Sequence, residues 1–543
     1  MRIVGVKSWG WIGLAGTAEE AASAVKAGVV WKAPCGFATR VWYLPALKRL
    51  GVPIDGAEYR EAILAAAKAL TAVPAPTPIG YDGDCPLRPY QRVGCGLLAG
   101  LASSLLADQV GLGKCVMTET VLKHRLAEGG CALVVATMRS KAQWKEDFEE
   151  KVARLSPPPI FTVYGSASER RRAYVRWLRS DVPSVLLIHH DTLRRDWRKI
   201  AAVSKRMREK WKTLTVVFDE AGYIRNAETK IRFAAVEVGK HATHKIALTA
   251  TPIENAVADV WSVIDWLRPG YLGPREAFEQ RHVVREPRFL RVVKERFLNE
   301  VKTAIRPLYL RRTAREVGLE LPRITTKTFI LDMGPAQAKA YAQIIAMKAR
   351  GVIDPKTATI LERQVANDPT TIKAKGESPK LDELAMFIPT VIDDEKVVVF
   401  TNFKKFALRI AARLERYAPV LIAGGQTEDA SDHAKRLFRD DPNTRILIAT
   451  SAGERALNLQ TGGVLVNMDL PWNPAAYQQR IGRIHRFGSK STRVLVVNFV
   501  MRGTIEEKIL KVLKRKQKTF DAVIETDGED DVRGALMQTV SSI

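Results

Sequence analysis

A glycine-rich loop that ends in a lysine is the part of this sequence with the clearest chemical meaning. The segment ADQVGLGKC, residues 107–115, places Gly111 and Gly113 just before Lys114. Closely spaced glycines let backbone N–H groups surround a phosphate, and the lysine adds a positive charge. The pattern therefore predicts a site for the phosphates of a mononucleotide. Such loops usually end in Ser or Thr, whereas here the next residue is Cys115.

A pair of carboxylates follows a second strand-like segment, TVVFDE at 215–220. A phosphate loop needs a carboxylate at the end of a neighbouring strand to hold Mg²⁺, directly or through an ordered water. We predict that Asp219 has this role and that Glu220 orients and deprotonates the attacking water. Taken alone, Asp-Glu after a strand is an ordinary loop pair, and it is the upstream loop that favours catalysis.

The charge of the chain indicates the class of its partner. Lys and Arg number 85 against 59 Asp and Glu, which gives a formal net charge of +26. Such an excess favours a polyanion, because binding releases the counterions of nucleic acid. A membrane surface is the main competing partner, and a generally basic soluble surface is the simplest alternative. We expect nucleic acid.

Several features of the sequence predict an intracellular protein. It has no apolar run of about 18 residues that would span a bilayer, and its N-terminus lacks the order of a signal peptide. The five cysteines are odd in number and include no CxxC spacing, so neither a disulfide framework nor a zinc site is indicated. Reduced thiols are expected.

Strand-like apolar runs alternate with amphipathic helical stretches in two parts of the chain, 79–273 and 381–515. This alternation is typical of α/β domains with a doubly wound parallel sheet. The remaining stretches are predicted as an N-terminal accessory module (1–78), a helical linker or protrusion (274–380) and an acidic tail (516–543).

The motifs of the first α/β region resemble those of the Swi/Snf class of superfamily two helicase-like translocases. They are PLRPYQ (86–91), DEAGYIRN (219–226), LTATPIENAVADVWSVIDWLRPGYLG (248–273) and YLRRT (309–313). The resemblance extends over about residues 87–520. It implies two tandem RecA-like domains, with a helical insertion between them and a small accessory domain at the N-terminus.

The second α/β region continues the resemblance with motifs in the expected order. They are VVVFTNF (397–403), ATSAGERALNLQ (449–460), DLPWNP (469–474) and YQQRIGRIHRFG (477–488). Arg483 and Arg486 are three apart on a predicted helix and therefore lie near one face of it. We predict that both reach phosphates bound by the first domain, because the guanidinium is permanently charged and its planar fork suits phosphoryl groups.

The resemblance implies an enzyme that hydrolyses ATP with Mg²⁺ and moves along double-stranded DNA without separating its strands. It would displace bound proteins or remodel forked or branched DNA. By motif position, the nucleotide-binding residues are Gln91, Gly111, Gly113, Lys114, Cys115 and Gln479. The candidate DNA-backbone contacts are Thr137, Lys141, Thr401, Asn402, Thr450 and Ser451, each of which is equally consistent with a local cap or turn, and the coupling residues are Thr249 and Thr251.

Two other functions remain open at this stage. One is a strand-separating helicase, and the other is a nucleotide-gated DNA-binding protein with weak turnover. Cys115 motivates the second, because a thiol is a poor ligand for Mg²⁺ where the family has a hydroxyl. Alternatively, Asp219, phosphates and water hold the metal, and Cys115 only fills space. Gly222 and Gln109 also depart from the family pattern, at positions where it has His and often Glu.

The N-terminal segment 24–50 weakly resembles a small β-rich module found beside HepA-like annealing members. Trp31 and Trp42 would form its core. Such a module would recognise DNA junctions or forks; the alternative is a small packing domain. The short linker and the HepA-like QRIGRIHRFG favour a bacterial or phage protein, located in the cytoplasm at the nucleoid or in a phage-infected cell.

Overall fold

The computed structural model of the protein comprises two compact units: one contains Met1–Thr313 and the described residues from Lys518 on, and the other is Ala314–Gln517. None of the helices in the described part of the chain combines the length and apolarity needed to cross a bilayer. The residues that the structure describes are 1–6, 11–33, 36–50, 52, 57–71, 77, 79, 87–152, 156–250, 252, 257–286, 292–319, 321–450, 461–472, 474–485, 491 and 493–524.

The first unit begins with a small antiparallel sheet and three helices. In chain order the elements are β1 (Arg2–Val6), β2 (Trp11–Ala15), α1 (Ala18–Lys26), β3 (Trp31–Ala33), β4 (Gly36–Arg40), α2 (Leu44–Arg49) and α3 (Arg60–Thr71), and the strand order is β1-β2-β4-β3. Thr17 and Glu20 form a capping box that starts α1, because each side chain accepts a hydrogen bond from the other's backbone N–H. Trp42 is buried in the core, whereas Trp31 is only half-buried.

The rest of the first unit contains a seven-stranded parallel sheet, its helices and a separate two-stranded antiparallel sheet. The elements are α4 (Pro89–Gly100), β5 (Ser103–Leu106), α5 (Lys114–Ala127), β6 (Gly130–Ala136), α6 (Met138–Asp147), β7 (Ile160–Thr162), α7 (Ala167–Leu178), β8 (Val185–His189), α8 (His190–Lys210), β9 (Thr213–Asp219), α9 (Lys230–Gly239), β10 (His244–Leu248), α10 (Ala258–Leu267), α11 (Arg275–His282), β11 (Val283–Arg285), β12 (Val292–Glu295), α12 (Leu298–Ile305) and β13 (Tyr309–Leu310). The order of the parallel sheet is β13-β5-β10-β9-β6-β8-β7, and β11 pairs with β12.

The register of this sheet brings three loops together. β10 lies between β5 and β9, and Leu248 at its end is level with Leu106 and Asp219. Because the strands are parallel, the segments that follow all three leave the same edge of the sheet, where α/β proteins bind ligands. All seven residues of β6 are buried, as expected for a central strand covered on both faces.

The second unit contains a six-stranded parallel sheet and its helices. The elements are β14 (Arg323–Leu331), α13 (Pro335–Ala349), α14 (Pro355–Asn367), α15 (Pro379–Phe387), β15 (Lys396–Thr401), α16 (Lys404–Arg413), β16 (Val420–Ile422), α17 (Glu428–Asp440), β17 (Ile446–Thr450), β18 (Gly462–Asn467), α18 (Pro474–Ile484), β19 (Arg493–Met501) and the part of α19 (Ile505–Ile524) up to Gln517. The strand order is β14-β19-β18-β15-β17-β16. Together the two sheets confirm the predicted α/β fold with two doubly wound domains.

The stretch 274–380, predicted as helical, also contributes strands to both sheets. β13 joins the first sheet and β14 the second. β14 is an edge strand whose side chains are mostly exposed. A strand of this kind needs no continuous apolar run, so periodicity does not reveal it. The two compact units divide within this stretch, after Thr313.

Candidate functional site

The loop between β5 and α5 has the backbone geometry of a phosphate cradle. Gly111 and Gly113 have φ of +94° and +82°, a left-handed conformation that favours glycine. Gly113 is the N-cap of α5, which begins at Lys114. The first N–H groups of a helix have no partners within the helix and attract anions. The loop thus presents donors and a lysine at one helix N-terminus.

Gln91 packs directly against this loop. Its Nε2 donates to the carbonyl oxygen of Leu112 at 3.2 Å, and its Oε1 accepts from the backbone N–H of Arg88 at 2.9 Å. A Cβ added to Gly113 would collide with the Nε2 of Gln91, so a larger residue would displace this amide. Gln91, which is predicted to bind the nucleotide, therefore lies beside the predicted phosphate loop.

The side chain of Lys114 is held over the same loop. Its Nζ donates to the carbonyl oxygens of Asp108 at 2.6 Å and Gln109 at 3.3 Å. Burial lowers the pKa of Lys114, while the negative charges of Asp108 and Glu220 oppose that shift. An amine that is partly desolvated and surrounded by carbonyl oxygens is poised for a stronger acceptor such as phosphate.

The YLRRT segment, at the edge of the sheet, is hydrogen-bonded to the phosphate loop. The carbonyl oxygens of Leu310 and Arg312 accept from the backbone N–H groups of Ala107 and Gln109 at 2.8 and 3.0 Å. The guanidinium of Arg312 also forms a bidentate ion pair with the carboxylate of Asp108, with N···O distances of 2.6 and 3.3 Å. The motif at 309–313 thus positions the loop, a role that its sequence alone does not reveal.

Asp219 and Glu220 lie at the end of β9, close to Lys114. Burial raises the pKa of Asp219, and hydrogen bonds from Trp144 and the Glu220 N–H, together with the charge of Lys114, lower it in part. Trp144 Nε1 donates to Asp219 Oδ2 at 3.1 Å, and the Glu220 N–H donates to Oδ1 at 3.0 Å. The charges of Lys114, Asp219 and Glu220 influence one another, so the structure brings these predicted residues together.

The backbone of Glu220 is strained. Its φ of 54° and ψ of 60° are left-handed, which is unusual for a residue other than glycine and costs about 1–3 kcal/mol. His190 stabilises this turn: its Nε2 lies 2.8 Å from the carbonyl oxygen of Asp219, and its ring stacks on Tyr223 at 4.2 Å between centroids. Sequence reasoning did not identify Trp144 or His190, because neither belongs to the loop that it supports.

Cys115 follows Lys114 on α5, and its thiol remains protonated at neutral pH. Burial raises its pKa well above the ordinary value, and the charges of Asp219 and Glu119 raise it further. A protonated thiol does not bind a hard cation, whereas the carboxylate of Asp219 suits Mg²⁺. The donor set therefore fits a magnesium ion held by Asp219 rather than by Cys115. Mg²⁺ would neutralise charge on the phosphates.

Replacing Cys115 with threonine tests the consequence of the missing hydroxyl. We expect Cys115→Thr to raise the ATPase rate and to lower the Mg²⁺ concentration for half-maximal activity by about tenfold, because a hydroxyl adds a hard oxygen donor. Magnesium titrations of the ATPase rate measure this effect. Cys115→Ala, which removes the thiol without adding oxygen, should stay within about twofold of the wild type. An unchanged or lower rate for Cys115→Thr would mean that Cys115 only fills space.

Three other predicted residues of the first unit are described, and two of them have local structural roles. Thr137 is the N-cap of α6, where its hydroxyl accepts from the Ser140 N–H. Lys141 is fully buried; its Nζ donates to the Val163 carbonyl oxygen at 2.6 Å, and burial lowers its pKa to about 8. Thr249 is buried directly after β10, at the edge of the sheet where the phosphate loop also begins. Thr251 lies outside the described residues.

In the second unit, the buried carboxylate of Asp469 accepts hydrogen bonds from Thr401 and Asn402, the predicted residues at the end of β15. Thr401 Oγ1 donates to Asp469 at 2.6 Å, and the backbone N–H of Asn402 donates to the same carboxylate at 3.1 Å. Arg363 and Asn367 add donors at 3.3 and 3.0 Å. Burial alone would raise the pKa of Asp469, but the charge of Arg363 and its neighbours holds it below the ordinary value.

Arg480 links this cluster to α18. Its guanidinium donates to Asn467 Oδ1 at 3.0 Å, to the carbonyl oxygen of Asp469 at 2.8 Å and to Asn402 Oδ1 at 3.2 Å. The helix that carries the predicted phosphate-binding arginine Arg483 is thereby tied to the strand ends. Thr450 is buried and pairs with Thr401 in the register of β15 and β17. Gln479 and Arg483 are half-buried. Ser451 and Arg486 lie outside the described residues.

Removing the Asp469 carboxylate should destabilise the second unit strongly. We expect Asp469→Ala to lower its free energy of unfolding by about 3–5 kcal/mol, because buried Arg363 and the amide donors would lose their acceptor. Urea denaturation followed by circular dichroism measures the change. The matched control is Asp432→Ala, which removes a partly exposed ion pair with Lys435 and should cost at most about 1 kcal/mol. Equal effects of the two substitutions would contradict the role of Asp469.

Comparison with known proteins identifies the family. Residues 90–379 match the family described as SNF2-related domain, and residues 379–488 match the Helicase conserved C-terminal domain. The uncharacterized ATP-dependent helicase YqhH of Bacillus subtilis is 26% identical over 457 residues, which are 78% of this chain and 76% of that protein. An uncharacterized ATP-dependent helicase of Mycoplasma pneumoniae is 26% identical over 463 residues, 81% of this chain and 42% of that protein.

A solved structure is also similar to this chain. The Sulfolobus solfataricus SWI2/SNF2 ATPase core in complex with dsDNA aligns with a TM-score of 0.39 at 23% identity, covering 84% of this chain and 96% of that one. The chain spans less than half the length of some curated relatives. The SNF2-related match alone covers more than half of the 543 residues and confirms the resemblance drawn from the motifs. The chain belongs to the SNF2-related family of ATP-dependent, helicase-like enzymes.

Proposed function

We propose that this protein is a DNA-dependent ATPase that moves along double-stranded DNA without separating the strands. One observation carries the proposal: Lys114 at the N-terminus of α5 and the Asp219–Glu220 pair at the end of β9 lie close enough for their charges to interact. This arrangement combines a phosphate cradle, an oxygen ligand for Mg²⁺ and a base for water.

Each residue of this site has a proposed role. The N–H groups of the 111–113 loop and the amine of Lys114 bind the phosphates of ATP. Asp219 holds Mg²⁺, and Glu220 orients the attacking water and accepts its proton. The strained backbone of Glu220, fixed by the Asp219 and His190 contacts, keeps this carboxylate in place. Arg483 and Arg486 are proposed to neutralise charge that develops on the phosphates.

Duplex DNA is the proposed track. The net charge of +26 favours a polyanion, and no motif in the chain indicates the reading of base sequence. The relatives named ATP-dependent helicases support a nucleic-acid substrate for this chain. Hydroxyl and amide groups at the ends of strands, such as Thr137, Thr401, Asn402 and Thr450, suit sequence-independent contacts with the DNA backbone, and Ser451 is a further candidate by motif position. Displacement of bound proteins or remodelling of branched DNA would follow from such movement.

ATP hydrolysis with different DNA cofactors tests the proposed activity. The rate is measured with no DNA, single strands, blunt duplex and forked duplex of matched sequence. We expect duplex and fork to stimulate hydrolysis strongly and single strands to stimulate it weakly. A DNA-independent rate, combined with tight ATP-dependent DNA binding, would instead identify a nucleotide-gated DNA-binding protein.

Strand separation is tested separately on a duplex with a single-stranded tail. We expect no ATP-dependent release of the labelled strand under conditions in which the duplex stimulates hydrolysis. Release that requires ATP hydrolysis would contradict movement without unwinding and would identify a strand-separating helicase.

A further inference from the structure

Helix α6 carries a buried tryptophan that is hydrogen-bonded to a carboxylate of the candidate site. Trp144 is only 3% exposed, and its Nε1 donates to Asp219 Oδ2 at 3.1 Å. The other carboxylate oxygen, Oδ1, accepts from the backbone N–H of Glu220 at 3.0 Å. An ionised carboxylate offers about four lone-pair directions, so these two bonds leave it able to bind a cation. They fix the orientation of the carboxylate without filling it.

Hydrogen bonds to a metal ligand tune the binding of the metal. Groups that hydrogen-bond a ligating carboxylate hold it in the required orientation, and their removal typically costs about 10–100-fold in metal affinity or activity. Asp219 is the residue proposed to hold Mg²⁺. A buried tryptophan N–H needs only some acceptor, and a backbone carbonyl is sufficient for Trp266, whose Nε1 donates to the oxygen of Ala235 at 2.9 Å. Trp144 instead uses the side chain of the proposed metal ligand.

The same helix begins at the sheet edge where contact with DNA is predicted. β6 pairs in parallel with β9, so α6, which follows β6, starts at the edge where Asp219 lies. Thr137, a predicted DNA contact, is the N-cap of α6 and forms a capping box with Ser140. Lys141, also a predicted contact, lies three residues before Trp144. One helix of ten residues therefore joins the predicted DNA contacts to the carboxylate.

The other end of α6 borders the phosphate loop. Asp147 is close enough to Cys115 for its negative charge to raise the pKa of that thiol. Trp144 and Asp147 are three apart and therefore lie near one face of α6. A π-helical turn, Phe148–Val152, follows the helix directly, and such turns are rare overall but frequent at functional sites. Both ends of α6 thus adjoin predicted functional groups.

We propose that Trp144 is a positioning residue: its hydrogen bond holds the Asp219 carboxylate in the orientation that binds Mg²⁺ and makes this orientation depend on α6. DNA that binds at the N-terminus of the helix would thereby promote hydrolysis. A short helix moves as a rigid body, so a shift at Thr137 also moves the indole. This inference deepens the proposed function and rests on it for the role of Asp219 and for DNA as the polyanion.

Packing is the competing explanation for Trp144. Its ring belongs to the hydrophobic core between the sheet and helices α4 and α5. If packing were its whole role, another ring of similar size would serve equally well. Trp144→Phe keeps an aromatic ring and removes the donor. Trp144→3-benzothienylalanine, in which a sulfur atom replaces the N–H, keeps nearly the whole shape of the indole and guards against a folding defect.

The first measurement needs neither hydrolysis nor DNA. The full chain is mixed with a fluorescent, non-hydrolysable ATP analogue, and Mg²⁺ is titrated while fluorescence anisotropy reports nucleotide binding. We expect both Trp144 variants to raise the Mg²⁺ concentration for half-maximal binding by about tenfold or more, as for other lost hydrogen bonds to a metal ligand. Half-maximal concentrations within about twofold of the wild type in both variants would overturn the proposal.

The second measurement is the ratio of the ATP hydrolysis rates with saturating duplex DNA and without DNA, both at saturating Mg²⁺. We expect both Trp144 variants to lower this ratio by about fivefold or more, the lower end of typical coupling between two sites. Their affinity for the duplex should stay within about twofold of the wild type, because no proposed DNA contact is removed. A raised Mg²⁺ requirement with an unchanged ratio would overturn the link between α6 and DNA.

Trp266→Phe is the matched control, because it removes a buried indole N–H whose acceptor, the Ala235 carbonyl oxygen, belongs to α9. It should leave the Mg²⁺ requirement and the ratio within about twofold of the wild type. Thermal unfolding followed by circular dichroism establishes that each variant folds. Equal changes in Trp144→Phe and Trp266→Phe would indicate a general loss of stability and overturn the proposal.

Failure of the proposed function would have a different signature. A wild type whose hydrolysis does not respond to DNA would contradict the proposed function. The Mg²⁺ titration contains no DNA, so it would still decide whether Trp144 positions Asp219.

Discussion

Replacing Lys114 with alanine is expected to lower DNA-stimulated ATP hydrolysis by about 10²–10³-fold, the range found when one donor to a developing charge is removed. The amine of Lys114 is partly desolvated at the N-terminus of α5 and donates to two loop carbonyl oxygens, at 2.6 and 3.3 Å, which a charged phosphate would replace as the stronger acceptor. Steady-state hydrolysis at saturating DNA measures the effect. ATP affinity should fall as well, because Lys114 is expected to contact phosphate before hydrolysis.

Lys123→Ala is the matched control for Lys114→Ala. Lys123 lies on the same helix, and its Nζ donates to the carbonyl oxygen of Val152 at 3.1 Å, away from the phosphate loop. Its removal should change the rate by less than about twofold, as expected for a surface substitution. Wild-type activity in Lys114→Ala would show that the 107–115 loop does not hold the nucleotide.

The second large effect is expected for Glu220→Gln, which should lower the rate of hydrolysis by about 10²–10⁴-fold, the range that a positioned general base contributes. The amide has nearly the shape of the carboxylate and keeps the strained backbone, but it cannot accept the proton of the attacking water. ATP binding should stay close to that of the wild type, because the phosphate loop is unchanged. Single-turnover hydrolysis and nucleotide-binding titrations separate these two quantities.

The control for Glu220→Gln is Glu228→Gln, which alters an exposed glutamate that pairs with Arg275. It should leave both hydrolysis and binding within about twofold of the wild type. A Glu220→Gln variant that hydrolyses ATP at the normal rate would assign the base to another residue. A Glu220→Gln variant that no longer binds ATP would show that Glu220 has a structural role instead.

Features encoded in short segments could be predicted from the sequence. The apolar runs that became β6, β9 and β10 predicted buried parallel strands, because a central strand of such a sheet is apolar on both faces. The glycines at 111 and 113 predicted the cradle, because left-handed backbone and a following helix are local properties. Asp219 and Glu220 follow the strand directly, so their place at the sheet edge also followed from sequence.

Contacts between distant residues could not be predicted in this way. Arg312 and Asp108 are 204 residues apart, and the Asp469 carboxylate receives donors from residues 67–106 positions away. Nothing in a local pattern marks such partners. The same limit applies to Thr137 and Lys141: motif position left open contact with DNA or a local bond, and only the structure identifies their local partners, the Ser140 N–H and the Val163 carbonyl oxygen. Their contact with DNA stays a prediction. The exposed edge strand β14 lacked the apolar run that identifies central strands.

Movement along intact duplex DNA, driven by ATP hydrolysis, is the central claim. Displacement of a labelled third strand from a DNA triplex tests it most directly, because an enzyme that moves along the duplex removes the third strand without opening the helix. We predict that the wild type displaces the third strand with ATP but not with a non-hydrolysable analogue of ATP. The Glu220→Gln variant should not displace the strand even with ATP. If the wild type hydrolyses ATP in the presence of the duplex but leaves the triplex intact, the proposed translocation is contradicted.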